Sequence, residues 1–164
     1  MKIRNVIAFA IAAGITLPAY AAVTVTDAWV KATAPGQTTG AAYLKIKSDA
    51  AAKLVGASSP AAKTTQIHEM KVENNVMQMR PIDALDLPAG KTVELKPGSY
   101  HIMLIDIVKP LKVGATVPLT LTIEGTDKHR QTVEVKAQVR AAAAMEKHDD
   151  MKDMGGMKGM GGGY

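Results

Sequence analysis

Ala42-Tyr43-Leu44-Lys45-Ile46-Lys47 alternates apolar and polar side chains without a break. That period of two is the pattern of a half-buried β-strand. Outward from it, from Val23 to Arg140, the chain repeats one pattern: short β-branched runs separated by Pro, Gly, Asn or Asp. Val23-Thr24-Val25-Thr26 and Trp29-Val30 come first, and Ala34-Pro35-Gly36 turns the chain before the alternating stretch. Further strands are expected over 52–57, 63–72, 76–82, 91–95, 100–107, 116–124 and 131–139. Glu73-Asn74-Asn75 reads as a hairpin turn, and Pro97-Gly98 and Gly125-Thr126-Asp127 as further turns. Close spacing with no long helical period between strands predicts an all-β fold, an antiparallel sandwich of two packed sheets with Greek-key connections.

The ends of the chain differ from this middle. Residues 1–21 have the form of a secretory signal peptide: Lys2 and Arg4, an apolar stretch from Val6 to Leu17, then Ala19-Tyr20-Ala21. Cleavage after Ala21 is expected, because the apolar run is shorter than the roughly 18–20 residues of a spanning helix. The mature protein is therefore expected to be soluble and exported, with no stable membrane insertion. From Ala141 onward comes a Met/His-rich tail, 141–164, whose last residues are only Asp, Met, Lys, Gly and Tyr. It has too little apolar bulk to repay the entropy of ordering and is expected to be flexible. Residues 22–140 are left as a single domain.

The 164 residues are 47% apolar and 21% charged, with net charge +5, ten methionines and no cysteine. Without cysteine there is no disulfide, zinc-thiolate site, iron–sulfur cluster, thiol nucleophile, cysteine-ligated blue-copper centre or cysteine-linked lipid. The charge is scattered, with no Lys/Arg block, so nucleic acid is not an expected partner. No Gly-x-Ser-x-Gly, His-Glu-x-x-His or phosphate-binding glycine loop is present, and the protein is not expected to be an enzyme. Trp29, Tyr43 and Tyr100 are expected as the few large anchors of an otherwise aliphatic core.

The methionines are unevenly placed. Apart from the initiator they form two clusters: Met70, Met77, Met79 and Met103, and then Met145, Met151, Met154, Met157 and Met160. Core filler would be spread through every strand. The first cluster contains His68 and His101. Residues two apart on a strand share a face, so His101 and Met103 project together with Ile102 opposite. The same holds for His68 with Met70 and for Met77 with Met79, and a turn at Asn74-Asn75 folds these two pairs side by side. Thioether sulfur is soft and imidazole borderline, a donor set suited to Cu(I) and unsuited to magnesium, calcium or manganese. Singly, each methionine has a plainer explanation in packing, and each histidine in ordinary hydrogen bonding; jointly, these residues favour a metal. His129 has no methionine near it and reads as a turn residue.

The spacing is His68, ten residues, Met79, twenty-one residues, His101, one residue, Met103. It resembles the H-x10-M-x21-H-x-M signature of the periplasmic copper chaperones of the PCuAC family. The likeness extends through Ala28-Trp29-Val30, Gly40-Ala41-Ala42-Tyr43-Leu44, Leu87-Pro88-Ala89-Gly90 and Pro97-Gly98-Ser99-Tyr100, and covers nearly all of 23–140. The resemblance implies a cupredoxin-like β-sandwich and a Cu(I) site made by His68, Met79, His101 and Met103. It also implies delivery of copper to the binuclear copper centre of cytochrome c oxidase, with the copper-bearing subunit, a Sco-type protein, or both as partners. Met70 and Met77 lie outside the signature, and packing is preferred for them over an auxiliary ligand role. The tail resembles a Met/His-rich extension found in part of the family. His148, Met151, Met154, Met157 and Met160 are read as a second site for Cu(I) or Cu(II), in preference to a solvated tail or an oxidation sink. Storage or resistance without a dedicated acceptor is the alternative function. A monomer is expected, with a dimer bridged by shared copper as the other arrangement.

Overall fold

The alternating stretch is the middle of β2 (Thr39–Ser48), whose Ala42, Leu44 and Ile46 are buried. This computed structural model describes residues 22–73 and 76–141. The signal peptide, the Asn74-Asn75 turn and the tail with His148, Met151, Met154, Met157 and Met160 lie outside the described residues. Around β2 stand β1 (Val23–Lys31), β3 (Ala52–Ser58), β4 (Ala62–Glu73), β5 (Val76–Ile82) and β6 (Leu85–Leu87). The remaining strands are β7 (Thr92–Leu95), β8 (His101–Ile107), β9 (Thr116–Gly125) and β10 (Arg130–Arg140). No helix occurs among the described residues. Every expected strand is present; β6 is additional, only three residues long and paired with β3.

The strands follow one hydrogen-bonded path, β5-β4-β8-β2-β1-β10-β9-β3-β6, with β7 on β2 beyond the end of β8. The expected sandwich is built from one continuous sheet and not from two separate ones. The path turns over on itself, and Thr65 Oγ1 donates to the Ala57 carbonyl across β4 and β3. Leu44, Ile46, Ile67, Ile102 and Leu104 from one half then share a core with Leu54, Leu87, Leu119, Leu121 and Ile123 from the other. One pairing is not antiparallel: β1 runs parallel to β10, with Val30 opposite Val139. A parallel pair needs a long crossover, and here nearly the whole domain forms that connection.

The central core cluster is entirely aliphatic, and the expected aromatic anchors are buried or half-buried beside it. Trp29 and Tyr43 are buried but lie outside the core cluster, and Tyr100 is half-buried at its margin. A bulge in β1 is responsible for Trp29. Thr26 faces Lys45 and Trp29 faces Tyr43, so two residues of β1 stand against Leu44 alone. Asp27 takes up the extra residue in a left-handed conformation, φ 50°. Val23 and Val25 pack toward the core before the bulge, and Val30 after it. The change of phase turns Trp29 to the opposite face, where it stacks on Tyr43 at 4.4 Å between ring centroids. Arg140 holds the arrangement, its guanidinium 2.8 Å from Asp27 Oδ1 and 5.8 Å from the indole centroid.

Candidate metal centre

The two histidines of the first methionine cluster meet because β4 lies between β5 and β8. His68 on β4 is directly opposite His101 on β8. The ring centroids are 5.5 Å apart. The turn that delivers His101 is Lys96-Pro97-Gly98-Ser99, closed by a 3.1 Å bond from the Ser99 N–H to the Lys96 carbonyl. Gly98 has φ 78°, the value a type II turn requires after proline and one that a side chain would strain.

Strand parity places the remaining donors. Gln66 is opposite Met103, and Met70 is opposite Met79. Gln66, His68, Met70, Met79, His101 and Met103 thus share one face, while Ile67 and Ile102 point into the core. Met103 lies diagonally across from His68 on one side, and Met79 diagonally on the other, two residues along from Pro81, which faces His68. Diagonal neighbours on a sheet are about 7–8 Å apart, within reach of long side chains. Met79 and Met103 are not neighbours: β4 separates their strands, and their partners on β4 are four residues apart. Met70 stands between Met79 and the histidine pair. Met77 is 60% exposed and Met79 49%, so packing, the preferred reading for Met77, does not hold.

Both imidazoles are set up as neutral donors. His101 is 2% exposed, and the Nδ1 atoms of His68 and His101 are buried without a hydrogen-bond partner. Burial lowers the pKa of His68 below its ordinary value near 6.5. His101 is lowered as well: burial is the largest cause, the Ser99 backbone pulls the other way, and His68 adds to the lowering. An orphaned buried nitrogen costs free energy unless something binds it. His68 Nε2 lies 2.9 Å from Gln66 Oε1. If Nε2 carries the proton and donates it to that carbonyl, Nδ1 keeps a free lone pair, which is the tautomer a metal needs. Gln66 was not singled out from the sequence, although its position two residues before His68 puts it on the same face.

The reverse of these strands is a charged brace. Glu69, between His68 and Met70, accepts from Arg80 at 3.3 Å and from the Tyr100 hydroxyl at 3.2 Å, and pairs with Lys71 at 3.2 Å. It therefore ties β4 to the residues next to Met79 and His101. The donor face of β4, β5 and β8, by contrast, carries no charged side chain among the described residues from Gln66 to Met103 on that face. Nor do any three His, Asp or Glu residues gather as a metal-binding group among the described residues. The face offers soft sulfur and neutral nitrogen, and lacks the carboxylates that hard cations take. Beyond His101, Tyr43 follows at 6.2 Å, so four rings, Trp29, Tyr43, His101 and His68, cross four adjacent strands.

The fold and this donor face define a class: an all-β, cupredoxin-like domain presenting methionine and histidine on one side of its sheet. The chain belongs to the LpqE-like family, described as lipoprotein LpqE-like, whose model matches residues 23–139. A relative in Leifsonia xyli subsp. xyli, named as lipoprotein Lxx21020, is 36% identical over 115 residues, 70% of this chain and 69% of that protein. The copper-bound PCuAC domain from PmoF2 is similar in structure, with TM-score 0.58 and 26% identity over 73% of this chain and 92% of that one. So is the solution structure of CuI-DR1885 from Deinococcus radiodurans, with TM-score 0.51 and 36% identity over 79% of this chain and 83% of that one.

Proposed function

We propose that this chain is an exported, periplasmic Cu(I) carrier, a binding protein with no catalytic step of its own. His68, Met79, His101 and Met103 hold the cargo, which passes to the binuclear copper centre of cytochrome c oxidase directly or through a Sco-type protein. The observation that carries the reading is the two buried, unpartnered Nδ1 atoms, on rings whose centroids are 5.5 Å apart and on a sheet face shared with Met79 and Met103. The copper-bound state of the PmoF2 domain and the Cu(I) state of DR1885 support it.

The ligands explain why a carrier suits this chemistry. All four are neutral, so bound Cu(I) keeps its charge and no thiolate anchors it. Thioethers do not titrate in the working range, and an acceptor can exchange them one at a time. Anaerobic Cu(I) competition tests the site. His101→Ala with Met103→Leu should weaken binding strongly, and unchanged affinity would refute the assignment. Delivery is tested separately by deleting the gene and measuring oxidase activity at limiting copper. Loss of activity restored by copper supports delivery; normal activity with copper sensitivity supports storage instead. Removing residues 145–164 should lower copper stoichiometry and leave the first site intact.

A further inference from the structure

We propose a second Cu(I) position made only of thioethers, from Met70, Met77 and Met79, outboard of the histidine pair. It rests on the reading of the donor face as a copper site and adds to it. Three observations on β4 and β5 carry it. Met70 and Met79 are directly opposite each other in register, a position that sets Cβ atoms about 4.5–5.5 Å apart. Met77 lies on the same face two residues before Met79, opposite Val72. Met77 and Met79 are 60% and 49% exposed, on a strand whose residues from Val76 to Pro81 are all exposed. Packing gives these side chains no reason to be methionine.

The register also divides the donors into two groups. His68, His101 and Met103 form an inner set around the direct His68–His101 pair. Met70, Met77 and Met79 form an outer set nearer the β4–β5 hairpin end, where Glu73 faces Val76. Each group offers three donors, and Met79, diagonal to His68, can serve either. No charged side chain of β4 or β5 enters the outer group: Glu69, Lys71, Glu73 and Arg80 belong to the reverse face. An uncharged, sulfur-only set selects a soft monovalent cation. Methionine's flexible stem lets the sulfurs converge without backbone movement. Copper reaching the exposed outer set would pass to His68 and the buried His101 by exchange of one thioether at a time, with no change of oxidation state.

The test is NMR of the full chain with 13C-labelled methionine methyl groups and 15N-labelled histidine rings, titrated anaerobically with Cu(I) and assigned through single Met→Leu and His→Leu variants. The expected result is two stages. The histidine rings and Met103 shift first; Met70 and Met77 shift as more Cu(I) is added. In His101→Leu, which disables the inner set, Met70, Met77 and Met79 should still shift. Met77→Leu keeps the bulk of an exposed side chain and should abolish the second stage alone. Stationary Met70 and Met77 signals, beside moving His68, His101 and Met103, would overturn the outer position and leave the main site standing. If no signal on this face moves, both readings fail.

Discussion

Replacing His101 by leucine should disable the histidine copper site without destabilising the copper-free protein. His101 is 2% exposed and its Nδ1 has no partner, and a buried unsatisfied polar group costs about 1–3 kcal/mol. Leucine fills a similar volume and needs no partner. Against this gain stand the ring contacts to Tyr43 at 6.2 Å and His68 at 5.5 Å, worth about 0.5–1.5 kcal/mol together. The net effect on the apo protein lies between a loss of about 0.5 and a gain of about 2.5 kcal/mol. For a domain of this size the gain raises the melting temperature by up to about 10 °C. Scanning calorimetry under anaerobic conditions, with and without buffered Cu(I), reads both quantities. Copper should raise the transition of the native protein by binding only the folded state, and raise that of His101→Leu by much less, through the methionines alone. An apo variant less stable than the native chain by more than about 1 kcal/mol would refute the reasoning. The imidazole would then be a structural group, and the orphaned nitrogen no sign of a metal.

Cu(I) affinity should be level from about pH 8 to about pH 6.5 and fall below that, because only neutral imidazole binds and both pKa values lie below the ordinary one. Apo stability should decline over the same acidic range, since the unfolded histidines take up protons near pH 6.5 and the folded ones only at lower pH; a loss of either beginning well above neutrality would contradict the burial of the pair. Ile102→Ala, at a side chain with no exposure between His101 and Met103, should cost about 2–5 kcal/mol in urea unfolding. Asp27→Val should cost about 1–3 kcal/mol, because φ 50° does not suit a β-branched residue. Asp27→Gly should be close to neutral, and a red-shifted Trp29 emission in the valine variant alone would report the displaced bulge.

Period-two alternation was enough to find nearly all the strands, because half-buried strands write their faces into successive residues. The pairing of His68 with His101 was legible only in part: each lies two residues from a methionine, but their strands are joined through β5, β6 and β7 and not by one hairpin. Other features depend on partners distant in sequence. The three-residue β6 has too little sequence to show a period and exists because β3 offers it an edge. The parallel β1–β10 pair joins residues more than a hundred positions apart. Trp29 is buried on the face away from the aliphatic cluster because one extra residue at Asp27 reverses the alternation of β1, which the local sequence does not announce. Gln66 gave no local signal beyond parity, and its bond to His68 becomes visible only with side-chain positions.

The order of the strands decides where another molecule can approach. A sheet edge invites pairing by a foreign strand, and the two ends of this path are β6 and β5. The first is three residues long and offers little to pair with. The second carries four exposed apolar side chains, Val76, Met77, Met79 and Pro81, and would be the hazardous one. Pro81 lacks the N–H that an added strand would use, at the level of His68. Strand addition, the ordinary route by which exposed edges aggregate, is thus blunted beside the methionines. A visitor is directed to the open face, where side chains meet side chains and the encounter can end without a shared sheet.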